Sequence, residues 1–337
     1  MRLKKWDGNP ILAAKKDNYW EKFGVLNPGA YYDNGKVSLL YRASGEADEA
    51  RIYIGLAESR DGLHFERVSD EPVLAPSEDG WDAGCIEDPR VVKMDGTYYM
   101  TYAARAHAPF AHWQGRKRKN VPAQTPTWTE NWTRSGIASS KDLRHWERLG
   151  PCTSDELDNR DVLLFPERIK GKYVLMHRAI DRSSGNKFPQ YKEAAIWLAY
   201  SDDMKTWTGD RLLARPEAKW EGGWMGAGCP PIRTGEGWLA IYHAIANLDG
   251  KGNAYRAGAM LLDLEDPSRI IARPADFILE PEAPFELEGA VNRVVFPCGA
   301  VLIGDELFVY YGAADSVCCL ATTKMNDLMT WVLESKL

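Results

Sequence analysis

The chain has 337 residues, 45% hydrophobic and 27% charged, with a formal net charge of −6. An acidic balance argues against nucleic acid as a partner, because backbone phosphates are bound by a basic face. No apolar run approaches the ~18 residues of a membrane span, and the N-terminal stretch MRLKKWDGNPILAAKKDNYW lacks the apolar core of a secretory signal.

In chain order the sequence repeats one unit. A strand opening at a proline is followed by a turn and a second, aromatic-rich alternating strand, then by a hairpin. The first unit reads NPGAYYD (Pro28), GKVSLLYRAS (35–44) and GLAESRDGLHF (55–65). The second reads DPRVVKMD (Pro89), GTYYMTYAAR (96–105) and GIASSKDLRHW (136–146). The third reads FPERIK (Pro166), GKYVLMHRAI (171–180) and WLAYSDDMKTW (197–207). The fourth has PPIRT (Pro231) and GWLAIYHAIA (237–246), then departs with MLLDLEDPSRI. The fifth has FPCGAVLI (Pro297) and DELFVYYGAA (305–314), and keeps the hairpin's end at Asp327 to Trp331. Proline is tolerated at the first residue of a strand, so each inner strand is expected to start there. About four strands per unit and five units predict an all-β, five-bladed β-propeller over residues 1–337 as one domain.

A long insert, 105–133, falls within the second unit. Loops of that length are usually functional, and its Trp113, Trp128 and Trp132 suit a sugar subsite or a subunit contact. The thirteen tryptophans are explained equally by sugar stacking and by a repeated structural role. GWMGAGCPP (223–231) reads as a tight approach to the central channel. The six cysteines, at 85, 152, 229, 298, 318 and 319, have no C-x-x-C spacing. They read as reduced thiols of a cytoplasmic protein, with no metal site.

The residues just before the repeated prolines are Asn27, Asp88, Phe165, Pro230 and Phe296, and the register puts them near one mouth of the channel. Only Asp88 is acidic. Neighbours on an extended chain point oppositely, so Glu87 is expected to face away from Asp88. By the same register Arg42, His177, Arg178, His243 and Asp315 end or follow second strands at that mouth, with His177 read as a substrate contact. Arg134, the NRD of 159–161, Tyr255 and Arg256 join them. Arginines and a histidine around a carboxylate suggest an anion bound beside an acid. The plainer alternative has the arginines pairing with Glu46, Asp161 or Glu167 to tie blades together.

The segments LNPGA, IEDPR, RDVLLFPERIKGKYVLMHR, GAGCPPIRTGEGWLAIYHA and VVFPCGAVLIGDELFVYYGAAD resemble glycoside hydrolase family 130, the β-mannoside phosphorylases and β-mannosidases. The resemblance implies a five-bladed propeller and an inverting enzyme with Asp88 as its sole general acid. The proton would reach the glycosidic oxygen through the sugar's 3-hydroxyl. It implies that Asn27, Arg42, Glu87 and Asp315 surround the mannosyl unit. It also implies that Arg134, Arg160 and His243, with Tyr255 nearby, hold phosphate. No cofactor is expected beyond inorganic phosphate as co-substrate, and a homo-oligomer is left open. An inverting hydrolase needs a second carboxylate about 6.5–9.5 Å from the acid, which a phosphorylase does not. The expectation is therefore a phosphorylase that releases α-mannose 1-phosphate. An inverting β-mannosidase is the alternative, and a non-catalytic glycan-binding propeller is a third. One departure favours hydrolysis: Trp224 stands where the family often has lysine, with Lys219 close by. Glu221, Asp161 and Glu167 are then the candidate bases.

Overall fold

A propeller must close its ring, since an open sheet edge invites unwanted pairing. Here the two ends of the chain do so. A computed structural model describes residues 1–45, 51–108 and 131–335. In it β1 (Lys4–Lys5) pairs antiparallel with β21 (Val317–Lys324), Lys4 opposite Thr322 and Lys5 opposite Ala321. The N-terminus thus supplies the outermost strand of the last sheet. Four other antiparallel sheets precede that one. The first is β2 (Gly24–Asp33), β3 (Lys36–Ser44), β4 (Ile52–Ser59) and β5 (Glu66–Arg67). The second is β6 (Cys85–Met94), β7 (Thr97–Arg105), β8 (Arg134–Ser140) and β9 (Glu147–Pro151). The third is β10 (Asp158–Leu164), β11 (Tyr173–Ile180), β12 (Ile196–Ser201) and β13 (Thr208–Ala214). In the fourth, the inner strand is split into β14 (Trp224–Ala227) and β15 (Ile232–Arg233). Both halves pair with β16 (Trp238–Ala246), followed by β17 (Ala254–Leu262) and β18 (Ile270–Ala272). The fifth is β19 (Val295–Ile303), β20 (Glu306–Ala313), β21 and β1. The first strands touch one another around the axis: β2 meets β6 and β19, β6 meets β10, and β10 meets β14. This is the five-bladed β-propeller that the repeats imply.

The core lies in the seams between sheets. Leu163, Met176 and Leu198 of the third pack with Met225, Tyr242 and Met260 of the fourth, for example. The repeated Ala-x-Ser-x-Asp is a turn lock. Ser59 Oγ accepts the Gly62 N–H at 2.9 Å, and Asp61 Oδ1 accepts the N–H groups of Leu63 and His64. Ser140 with Asp142, and Ser201 with Asp203, repeat the pattern. Such side-chain acceptors satisfy turn donors that no strand can reach.

A short helix, α1 (Pro284–Leu287), precedes β19, and α2 (Met325–Glu334) ends the chain. The expected fifth hairpin end, Asp327 to Trp331, is therefore helical. Because β1 occupies the outer place beside β21, the C-terminal segment is released to fold back. It buries Leu328, Met329 and Val332 against the fourth and fifth sheets.

Candidate active site

The first two inner strands carry their prolines at bulges and not at their starts. Leu26 pairs with Arg42 and Gly29 with Leu40, which leaves Asn27 and Pro28 out of the ladder. Glu87 pairs with Ala103 and Arg90 with Thr101, which leaves out Asp88 and Pro89. A proline lacks the ladder donor, so a bulge accommodates it without loss. In the third sheet the bulge falls at Asp161 and Val162, ahead of Pro166. The axial position there belongs to Asp161 and not to Phe165, contrary to the proline register. Asn27 (φ 48°), Asp88 (φ 52°) and Asp161 (φ 56°) all adopt the left-handed conformation. Asn and Asp tolerate it best among non-glycine residues, which accounts for these residue types at all three bulges.

That backbone turn also reverses the expectation for Glu87. Arg42 Nη1 lies 3.0 Å from Asp88 Oδ1 and 3.3 Å from Glu87 Oε2, so both carboxylates face one guanidinium. Strict alternation fails because Asp88 is not extended. Asn27 Nδ2 donates to the same Asp88 Oδ1 at 2.8 Å. Glu87 Oε1 accepts from the buried Cys85 thiol at 2.9 Å. Burial works against the Arg42 charge, but Glu87, Asp88 and Asp315 together hold its pKa above the ordinary value. Burial also pushes the Asp315 carboxyl up to about 6, opposed by Arg42 and reinforced by Asp88 and Glu87. Asn27, Arg42, Glu87, Asp88 and Asp315 therefore form one cluster, drawn from the first, second and fifth sheets.

A second cluster stands on the other side of the axis. Asp161 Oδ2 accepts from Arg178 Nε at 2.6 Å and lies 3.5 Å from His243 Nε2. Asp161 Oδ1 lies 3.6 Å from Arg90 Nη2. Although buried, Asp161 is held well below the usual carboxylate range by Arg178, His243 and Arg90. Burial holds His243 below its ordinary value, and Asp161 only partly opposes this. The imidazole lies against Phe296, with ring centroids 4.3 Å apart, and Tyr255 packs on the same Phe296. Burial, then Asp315, raises the Tyr255 phenol, while Arg178 lowers it. Tyr255 thus feels charges from both clusters. Gly226 makes the fit possible, since a Cβ there would stand 2.1 Å from Asp161 Oδ2 and 2.8 Å from the His243 ring. The tight approach read from GWMGAGCPP is this contact.

Arg90 joins the clusters, and the sequence reading gave it no role. Its fully buried guanidinium donates to the Asp88 carbonyl at 2.9 Å and to the Gly228 carbonyl at 2.8 Å. The available signal was an arginine two residues after the bulge on an axial strand, where a buried charge requires a partner.

Glu221 is not at the axis. It accepts from Tyr242 Oη and Arg273 Nη2, each at 2.6 Å, deep in the fourth sheet. The arrangement recurs: Glu21 with Tyr41 and Arg67, Asp82 with Tyr102 and Arg148, Glu286 with Tyr311 and Lys5. Trp20, Trp81 and Trp220 stack on Tyr41, Tyr102 and Tyr242. These tryptophans are structural. His177 occupies the same place in β11, opposite Trp197, as Tyr41 does opposite Gly55. It contacts Asn159 Nδ2 at 3.1 Å and lies 3.7 Å from Asp210, and burial lowers its pKa to about 4. Alternation along β11 sends Arg178, not His177, to the axis, so the structure does not bring His177 to either cluster.

Of the other expected phosphate ligands, Arg160 grips both oxygens of Asp158. Arg134 Nη2 reaches the Thr153 carbonyl at 3.5 Å, and its guanidinium lies 5.9 Å from the Trp81 ring. No hydrogen bond among the described residues ties Arg134 to Asp161 or His243. Glu167 sits in the turn after β10, exposed and paired with Arg233. Lys219 is exposed beside the buried Trp220, whereas Trp224 lies over Arg178, 5.4 Å from guanidinium to ring centroid. Glu46, Trp113 and Trp128 lie outside the described residues. All six cysteines are free and buried. Among the described residues, no group of three His, Cys, Asp or Glu is placed to hold a metal, and no helix is long and apolar enough to cross a membrane.

The arrangement is a carboxylate cluster in which Asn27 and Arg42 hold Asp88, joined through Arg90 to a second cluster that carries Arg178 and His243. Comparison with known proteins agrees. The chain is 39% identical to a 1,2-beta-oligomannan phosphorylase of Thermoanaerobacter sp. (strain X514), over 97% of this chain and 99% of the relative. It is 28% identical to a beta-1,4-mannooligosaccharide phosphorylase of Ruminococcus albus, over 97% and 90%. The structure of a beta-1,2-mannobiose phosphorylase from Listeria innocua, in complex with beta-1,2-mannobiose, superposes with a TM-score of 0.79 at 28% identity, covering 98% of this chain and 99% of that one. The family profile described as beta-1,4-mannooligosaccharide phosphorylase matches residues 12–334, and the chain belongs to that family, glycoside hydrolase family 130.

Proposed function

We propose that the enzyme cleaves β-mannosides with inorganic phosphate, inverting the anomeric centre and releasing α-mannose 1-phosphate. One observation carries this reading. Arg90 links Asp88 to a cluster in which buried Arg178 Nη1 and His243 Nδ1 have no hydrogen-bond partner among the described residues, while the candidate water-activating carboxylates are already paired. Asp161 is neutralised by three cationic or donor groups, Glu221 is locked to Tyr242 and Arg273, and Glu167 is paired with Arg233 in the turn after β10. Phosphate needs no base, because it is already an anion. It needs cations that hold it in line with the anomeric carbon.

In this reading both neighbours of Asp88 bond Oδ1, so Oδ2 carries the proton. Asn27, Arg42, Glu87 and Asp315 hold the mannosyl hydroxyls. Arg178, His243 and Tyr255 hold phosphate against the opposite face, with Arg160 at the edge. The bond from C1 to the leaving oxygen breaks as the bond from C1 to a phosphate oxygen forms. The Asp88 proton ends on the leaving hydroxyl, through the sugar's 3-hydroxyl. The named relatives support mannose oligomers as the substrate class. Six buried free thiols suit a reducing compartment, so we place the enzyme in the cytoplasm. The five sheets are read as one catalytic domain.

The test is product analysis with β-mannosides, with and without phosphate. Mannose 1-phosphate formed only with phosphate supports the reading. Equal release of free mannose in phosphate-free buffer overturns it in favour of the hydrolase.

A further inference from the structure

Trp224 is 42% exposed, yet it begins the strand β14, whose next three residues are buried. It pairs with Ile245, and Gly226 pairs with His243. Residues two apart on a strand share a face, roughly 7 Å from one another. Gly226 faces Asp161 and the His243 ring. The Trp224 indole therefore stands on the face that bears the cationic cluster, one step towards solvent. There it meets Arg178, whose guanidinium lies 5.4 Å from its ring centroid. Arg178 is 6% exposed and its Nη1 has no hydrogen-bond partner among the described residues. An aromatic ring over a guanidinium leaves the in-plane N–H groups available to an anion while shielding its flat face from water.

We propose that Trp224 is a specificity-determining lid on the anion subsite: it keeps water from the nucleophile's position and so sets the partition between phosphate and water. The inference rests on the phosphorylase reading above. Two reactions compete for one anomeric carbon. With hydrogen phosphate, the bond from C1 to the leaving oxygen breaks, a bond from C1 to a phosphate oxygen forms, and the phosphate's proton ends, net, on the leaving hydroxyl. With water, C1 takes hydroxide and the remaining water proton ends on the leaving hydroxyl. Removing the indole would hydrate Arg178, weaken its hold on phosphate and admit the competing nucleophile.

The experiment measures the phosphate KM, the mannoside KM and the ratio of free mannose to mannose 1-phosphate. The parent, Trp224→Ala and Trp224→Phe are compared, with Tm followed for each. Trp224→Ala is expected to raise the phosphate KM about tenfold, the scale of one lost cation–π contact, and to increase the share of free mannose. Trp224→Phe, which restores a ring, is expected to recover most of both effects. A phosphate-dependent parent whose Trp224→Ala variant keeps the phosphate KM and product ratio, and loses only mannoside affinity, overturns this inference alone and makes Trp224 a sugar platform. Failure of the phenylalanine to rescue, with Tm unchanged, also overturns it. A parent indifferent to phosphate overturns this inference together with the reading beneath it.

Discussion

The Asn27 side chain donates to Asp88 Oδ1 at 2.8 Å across the seam between the first two sheets, and Gly312 of the fifth sheet backs it. A Cβ at position 312 would stand 1.9 Å from Asn27 Oδ1. Three sheets thus fix the orientation of one acid. Gly312→Ala should displace Asn27 and tilt Asp88. A shift near 1 Å in a catalytic group costs about 10²-fold in rate, and kcat measured beside Tm would show that loss without unfolding. An unchanged kcat would mean that Asn27 does not position the acid.

Asp88→Asn keeps the shape of the side chain and an oxygen for Arg42 and Asn27. It removes the proton donor. General acid catalysis contributes about 10²–10⁴-fold, so kcat should fall by that order with Tm nearly unchanged. Activity close to the parent's would move the acid to Glu87 or Asp315.

Glu221 separates the structural from the catalytic carboxylates. It is 1% exposed and paired with Arg273. Breaking a buried pair by removing one charge costs about 3–5 kcal/mol. Glu221→Gln should therefore lower Tm sharply, while the phosphate KM of the surviving folded enzyme stays near the parent's. Loss of turnover at unchanged Tm would instead return Glu221 to the role of base.

The pH dependence of stability carries two signatures of opposite sign. Asp315 is raised by burial to about 6 in the folded protein, against about 3.9 when unfolded. Between those values the folded state binds more protons, so its stability falls as pH rises through the window. His177 is lowered to about 4, against about 6.5 when unfolded. Its contribution is present above that unfolded value and is lost as pH falls towards 4. Asp315→Asn should gain in Tm relative to the parent between about pH 4 and 7, and His177→Gln should lose less Tm than the parent on acidification. Melting curves across that range check both. A pH-independent Tm difference for either variant contradicts the corresponding assignment.

The repeats make the five sheets and the axial places of Asn27 and Asp88 legible in the sequence. The same proline register failed in the third sheet, because Pro166 follows β10 instead of sitting in its bulge. The marker that holds in the first three sheets is an Asn or Asp able to adopt positive φ, at residues 27, 88 and 161. His177 and His243 looked equivalent because each lies near the end of a second strand. One residue of register separates them and sends them to opposite faces. The closing strand β1 could not be read, since two lysines carry no alternating pattern. Trp20-Glu21, Trp81-Asp82 and Trp220-Glu221 were visible as dipeptides. Their tyrosine partners lie 20 or 21 residues away in sequence, so only the fold reveals the pairing.

The most direct measurement is time-resolved NMR of one β-mannoside turned over in phosphate buffer, watching phosphorus and the anomeric proton of the first product. The account predicts α-mannose 1-phosphate from the first turnovers, with the phosphate resonance consumed in step. Free mannose as the first product, or a β-linked phosphate ester, would contradict it.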